Sequence, residues 1–144
     1  MRLPDRCIQK VGAPRAGGGR GRSYSGYPFA MLKDLTPEAA LAKLAAHAKT
    51  GGRPFIELFR HGTLTVEIYR PEGRDLQTPH TRDEVYVVIS GSGWFRNGES
   101  RERFIAGQVL FVPAGIPHRF EDFSPDFATW VFFYGPEGGE ARTG

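Results

Sequence analysis

From Pro54 to Tyr134 the side chains alternate between apolar and polar with a period of two, and glycine, proline or asparagine interrupts them every few residues. Successive side chains of a strand point to opposite faces, so this alternation marks a series of half-buried strands joined by tight turns. Phe55–Arg60 and Thr63–Tyr69 alternate around His61-Gly62, which predicts a hairpin. A loop, PEGRDLQTPHTRD, follows; EVYVVIS then reads as a strand, GSG as a turn and WFR as a strand. Asn97-Gly98 carries the signal of a type I′ turn, with ESRERF as the returning strand. VLFVP, HRFEDF and ATWVFFY complete about eight short strands, a number and spacing that favour a sandwich or barrel over βαβ units.

Ahead of the strands, Thr36-Pro37-Glu38 has the form of a helix start: a hydroxyl N-cap, a proline preset for the first turn and an acid that complements the helix dipole. Leu41, Leu44, Ala45 and Ala48 then share one face until Gly51-Gly52 ends the run. This predicts one short helix lying on the outside of a sheet.

At 144 residues the chain suits one domain with one core. The expected division is a disordered, basic, Gly/Arg-rich extension over 1–33, a helix within 34–52, a barrel over 53–136 and a flexible tail over 137–144. Met31, just ahead of the helix, is a candidate translation start. Residues 1–28 hold six basic side chains against Asp5, a net of +5, so with +3 for the whole chain the rest carries −2. The basicity therefore belongs to the extension, and no specific nucleic-acid partner is expected for the folded part. No apolar run approaches the roughly 20 residues that span a bilayer, and the N-terminus lacks the apolar stretch of a secretory signal. The expected compartment is the cytoplasm. With one cysteine, Cys7, the chain can build neither an internal disulfide nor a thiolate zinc site. A metal would have to rest on histidine and carboxylate.

Two stretches carry a specific pattern. The second in chain order reads Gly107, five residues, Pro113-Ala114-Gly115, two residues, His118, three residues, Asp122. The first ends His80, three residues, Glu84, six residues, Gly91. Glu84 heads a strand whose same-face members are Tyr86, Val88 and Ser90, while His118 shares a face with Phe120 and Asp122. The rigid turn Pro113–Pro117 aims the strand that opens with His118. Two imidazoles and one carboxylate on such elements suit a three-ligand metal site with open positions.

These two stretches resemble the paired signature motifs of the cupin superfamily, and together they span residues 73–122. Asp122 stands where the family has Asn, Thr78 stands where it has the first histidine, and Gly73 lies one residue closer than in the family pattern. The resemblance implies a small, single-domain, cupin 2-like metal-binding protein. Its fold would be all-β, a double-stranded β-helix (jelly roll) with one short N-terminal α-helix. It implies one divalent transition metal (Fe, Mn, Ni, Co or Zn) on His80, Glu84 and His118, with Gln77 or Thr78 adding at most a weak oxygen ligand. Tyr86 and Asp122 are the candidate catalytic, acid–base or hydrogen-bonding groups, Asp122 either orienting an imidazole or lying on the surface at the barrel mouth.

A fold shared by dioxygenases, isomerases, epimerases, decarboxylases, storage proteins and ligand sensors does not choose a reaction. Two functions are carried forward. One is a metal-dependent enzyme, a dioxygenase-like oxidoreductase or an isomerase, acting on a small oxygenated molecule. The other is a non-catalytic small-ligand-binding or sensor barrel, with or without metal. The expected partners are a small molecule and, by the resemblance, a second copy of the chain, with no membrane.

Overall fold

A computed structural model of the protein describes residues 35–141. The expected extension over 1–33, with Cys7 and Met31, and residues 142–144 of the expected tail lie outside the described residues. Helix α1 (Pro37–Ala48) starts where its cap places it, with the Thr36 hydroxyl accepting from the Ala39 N–H at 3.2 Å. Its buried side chains are Ala40 and Leu44, which pack with Ile68 beneath Trp130 and Leu41. Ala45 and Ala48, expected on the buried stripe, are exposed, because the helix is seated by its first two turns only.

Eight strands follow: β1 (Phe55–His61), β2 (Leu64–Tyr69), β3 (Asp83–Ser90), β4 (Ser92–Asn97), β5 (Ser100–Ile105), β6 (Val109–Val112), β7 (His118–Glu121) and β8 (Ala128–Tyr134). All pair antiparallel, in a five-stranded sheet of order β1-β2-β8-β3-β6 and a three-stranded sheet of order β5-β4-β7. This is the expected jelly-roll arrangement with one helix outside it. Between the sheets lies a core rich in aromatic rings, where the Phe120 ring sits 4.6 Å from Phe127 and 4.8 Å from Phe95. Fully burying one such ring contributes about 2–3 kcal/mol, so this stack carries much of the stability.

Three expectations change in detail. GSG is not a free turn: Ser92 and Gly93 already pair with Ile105 and Phe104, and the chain passes from one sheet to the other at Gly91 alone. Gly91 holds φ +82°, and a Cβ there would lie 2.7 Å from the Phe127 backbone, so only glycine fits this corner. The β4–β5 turn is Gly98-Glu99 rather than Asn97-Gly98, since Asn97 pairs with Ser100. Gly98 (φ +58°) takes its first central position, which matches the II′ preference. Finally, part of the expected tail is held: the Gly138 N–H donates to the Thr81 carbonyl at 2.6 Å and the Glu140 N–H to Asp83 at 2.8 Å. Among the described residues no helix is long and apolar enough to cross a membrane.

Candidate metal centre

Loop 71–82, strand β3 and strand β7 bring His80, Glu84 and His118 together, with their potential ligand atoms all within 4.8 Å of one another. His80 Nε2 lies 2.6 Å from Glu84 Oε2, and His118 Nε2 lies 3.2 Å from the same oxygen. Glu84 is fully buried and its strand is central, pairing with Val112 on one side and Phe133 on the other. His118 opens β7 immediately after the Pro113–Pro117 turn, which the Gly115 N–H ties to the His80 carbonyl at 2.7 Å. One backbone hydrogen bond thus joins the two histidine-bearing segments.

The second nitrogen of each imidazole is also held. His80 Nδ1 is 2.6 Å from the Arg82 carbonyl, and His118 Nδ1 is 2.8 Å from the Ile116 carbonyl. A carbonyl only accepts, so each Nδ1 carries the proton and each Nε2 presents its other face to the carboxylate. If both Nε2 atoms are bare, lone pairs meet lone pairs at a buried carboxylate. Such an arrangement requires a shared cation, either imidazolium protons or one metal ion. Two buried atoms sharpen the point: Glu84 Oε1 and His118 Nε2 have no hydrogen-bond partner, the 3.2 Å approach of His118 being outside hydrogen-bonding geometry. Metal–ligand bonds of about 2.0–2.2 Å set neighbouring ligand atoms roughly 3 Å apart, a spacing that the observed 2.6 and 3.2 Å bracket. The residues present therefore fit a divalent ion.

Electrostatics follows from this geometry. Burial pushes the Glu84 carboxyl up, but the two imidazoles facing it outweigh burial and hold it below its ordinary range. Burial pushes His118 down, but Glu84 and the Ile116 carbonyl outweigh it and raise the imidazole.

The remaining candidates fall in different places. Tyr86 is fully buried behind the cavity wall, and its hydroxyl donates to Gln77 Oε1 at 2.8 Å. Burial and the Glu84 charge raise its phenol well above the usual range, so it keeps its proton, and of the acid–base and hydrogen-bonding roles open to it the structure shows a hydrogen bond. Asp122 does not join the cluster. It lies past the end of β7 at φ +48°, which breaks the strand alternation, and its exposed carboxylate pairs with Arg101 at 3.1 Å. The imidazole-orienting place expected for it is filled by the Ile116 carbonyl. Gln77 donates its Nε2 to Asp75 and accepts from the Tyr86 hydroxyl at its Oε1, while Thr78 is exposed at the cavity. Asp83 caps loops: it accepts from the Ala114 N–H at 2.9 Å as well as from Glu140.

One residue at the heart of this arrangement has no sequence signal. Asp75 is 1% exposed and accepts four hydrogen bonds, from the Tyr69 hydroxyl, both the backbone and side-chain nitrogens of Gln77, and the Phe120 N–H. It pins loop 71–82 to the barrel and so positions His80. Glu67 also lines the cavity, and its place between Thr65 and Tyr69 on one face of β2 is the signal that marks it as inward-facing. A cavity of about 950 Å³ opens beside the cluster, lined by His80, Glu84 and Phe133 and by Leu41, Leu44, Ala45 and Ala48 of α1.

The cupin domain family matches residues 65–134. An uncharacterized protein of Streptomyces coelicolor is 32% identical over 99 residues, which cover 67% of this chain and 94% of that protein. An acireductone dioxygenase of Drosophila pseudoobscura pseudoobscura is 36% identical over 53 residues, covering 33% of this chain and 28% of the fly protein, so the likeness spans little more than a quarter of it. Among solved structures, a cupin-2 domain containing protein of Shewanella frigidimarina superposes with a TM-score of 0.52 at 14% identity, covering 73% of this chain and 99% of that one, a likeness of fold.

Proposed function

The chain belongs to the cupin family, and from that premise we propose that it is a metal-dependent enzyme acting on a small oxygenated molecule. The observation that carries the proposal is the buried Glu84 carboxylate, faced by two imidazoles whose other nitrogens are both committed to backbone carbonyls. His80, Glu84 and His118 would hold one divalent ion: Fe, Mn, Ni, Co or Zn. When bound, such an ion supplies open coordination positions and Lewis-acid or redox chemistry. The partial likeness to an acireductone dioxygenase favours an oxidoreductase over an isomerase. A cytoplasmic location and pairing with a second copy belong to the same proposal.

The chain's own residues set the conditions for that chemistry. The Arg82 and Ile116 carbonyls fix both imidazoles in the tautomer that leaves Nε2 toward the cluster. Tyr86 holds its proton and, through Gln77, links the cluster to Asp75 and Tyr69. Phe133 packs edge-on against the His80 ring with centroids 5.0 Å apart, shielding that side from water. The cavity beside these groups admits a small molecule to the His80–Glu84 side.

The test is elemental analysis of protein purified without chelators, beside His118→Ala. The expected result is close to one transition-metal ion per chain in the parent and loss of most of it in the variant, with oxygen uptake on a metabolite panel tracking metal content. A folded parent that takes up none of the five ions would sink the metal reading. The small-ligand-binding barrel would then remain, since the cavity walls do not depend on an ion.

A further inference from the structure

We propose that the cavity takes an extended organic anion, its charged group held at the mouth by Arg53, Arg70 and Arg74 and its apolar body lying along the face of α1 toward His80 and Glu84. The proposal deepens the metal-centre reading and rests on it only for what the far end of the ligand meets.

The Arg70 N–H donates to the Pro54 carbonyl at 2.9 Å, so Arg53 and Arg70 leave the same end of the β1–β2 hairpin; Arg74 stands on the loop that follows. All three line the cavity and are exposed. Among the described residues no carboxylate forms an ion pair with any of them, although Glu72 lines the same rim. Elsewhere Arg60 pairs with Glu57, Arg96 and Arg101 pair with Glu121, Arg82 donates to Thr63 and Thr65, and Arg103 lies over the Trp94 ring. Arg53 lies over the Phe55 ring at 5.8 Å, a contact that leaves the N–H edge of its fork open. Guanidinium presents a planar fork that matches carboxylate and phosphate oxygens, so three forks without a carboxylate partner, clustered at one cavity, suit an anion.

The wall beside them is apolar. Leu41, Leu44, Ala45 and Ala48 line the cavity, which gives the exposed alanines of α1 a purpose, and Leu76 is 74% exposed on the same rim. Glu67 stands on the wall without a hydrogen bond or ion pair among the described residues, and burial raises its carboxyl. The ligand must also be long. Glu84 and Thr65 both pair with Phe133, so they lie at one level of the sheet, and Arg70 lies five positions on from Thr65, just past the end of β2. At about 3.3 Å per residue, that separates the mouth from the metal centre by roughly 16 Å along the strand.

The test is calorimetric titration of the full chain, in the metal state in which it purifies, with octanoate, octyl phosphate, butanoate and octanol. Octanoate and octyl phosphate are expected to bind, with butanoate and octanol weaker by roughly tenfold. Arg70→Gln and Arg53→Gln are each expected to weaken octanoate roughly fivefold, while octanol affinity, melting temperature and metal content stay at parent values. The proposal is overturned if octanol binds as well as octanoate, if no probe binds, or if only His118→Ala lowers octanoate affinity, which would move the anion to the metal. Elemental analysis of the same samples keeps the two readings apart. Arginine-dependent binding to a metal-free protein would overturn the metal centre alone, and a stoichiometric ion with arginine-independent binding would overturn the anion mouth alone.

Discussion

Glu84 and His118 titrate in opposite directions, and this gives the metal-free protein a distinctive pH dependence. Glu84 lies below its unfolded value, so its contribution is complete above the ordinary carboxylate range and is lost as pH falls through the folded value. His118 lies above its unfolded value, so its contribution is complete below the ordinary imidazole range and is lost as pH rises through the folded value. Both are complete together between roughly pH 4.5 and 6.5. Chelator-treated protein should therefore melt at its highest temperature in that window and lose stability above it. Added metal should reverse the trend, since the ion competes with protons and binds better as pH rises. A melting temperature of metal-free protein that climbs steadily through pH 8 would contradict the pairing. The clustering of His80, Glu84 and His118 was readable in the sequence because the spacing of His80 and Glu84, and the Pro-x-Gly turn before His118, are local patterns. Of the two places open to Asp122 the structure has the surface one, because a single residue at φ +48° takes the chain out of strand alternation, and no neighbouring residue type announces that.

At the level of elements, loop 71–82 is the part of the site with the least regular structure of its own, and its order depends on Asp75. Four donors converge on this one carboxylate, two of them from β2 and β7. Asp75→Ala strands the buried Tyr69 hydroxyl and Phe120 N–H, an expected loss of about 3 kcal/mol of unfolding free energy by denaturant titration. The same variant should weaken metal binding more than Asp122→Ala, which removes only an exposed ion pair. Equal metal affinity in the two variants would mean that the loop holds His80 without its anchor. Strand positions were legible from alternation to within a residue or two. The Gly98-Glu99 turn shifted by one position because pairing across β4 and β5, from Ser92–Ile105 through Asn97–Ser100, sets the register and the turn must follow it. The helix boundaries were legible from its cap, whereas the buried face was not, since only contact with Ile68 selects Ala40 over Ala45.

For the whole molecule, the passage of the chain between sheets is the critical feature. β3 belongs to the five-stranded sheet and β4 to the three-stranded one, with Gly91 as the sole residue between them. Gly91→Ala places a methyl group against the Phe127 backbone at a positive φ, and an expected loss of roughly 2–4 kcal/mol should appear in thermal or denaturant unfolding. Gly73→Ala, also at positive φ but with nothing within 4 Å of the new carbon, should cost about 1 kcal/mol. Comparable losses for both would show that backbone strain alone, and not the sheet corner, governs Gly91.

By itself the sequence determined what depends on near neighbours: the strand-rich fold, the helix start, the motif turns and the three residues that cluster at the site. Each follows from alternation, capping or fixed spacing, which act over a few residues. The tertiary structure alone decided which carboxylates are buried, which arginines stay unpaired and where the cavity runs. Asp75 meets Phe120, and Asp83 meets Glu140, across long stretches of chain. Such contacts depend on how the sheets and loops close in space, and no local pattern encodes that.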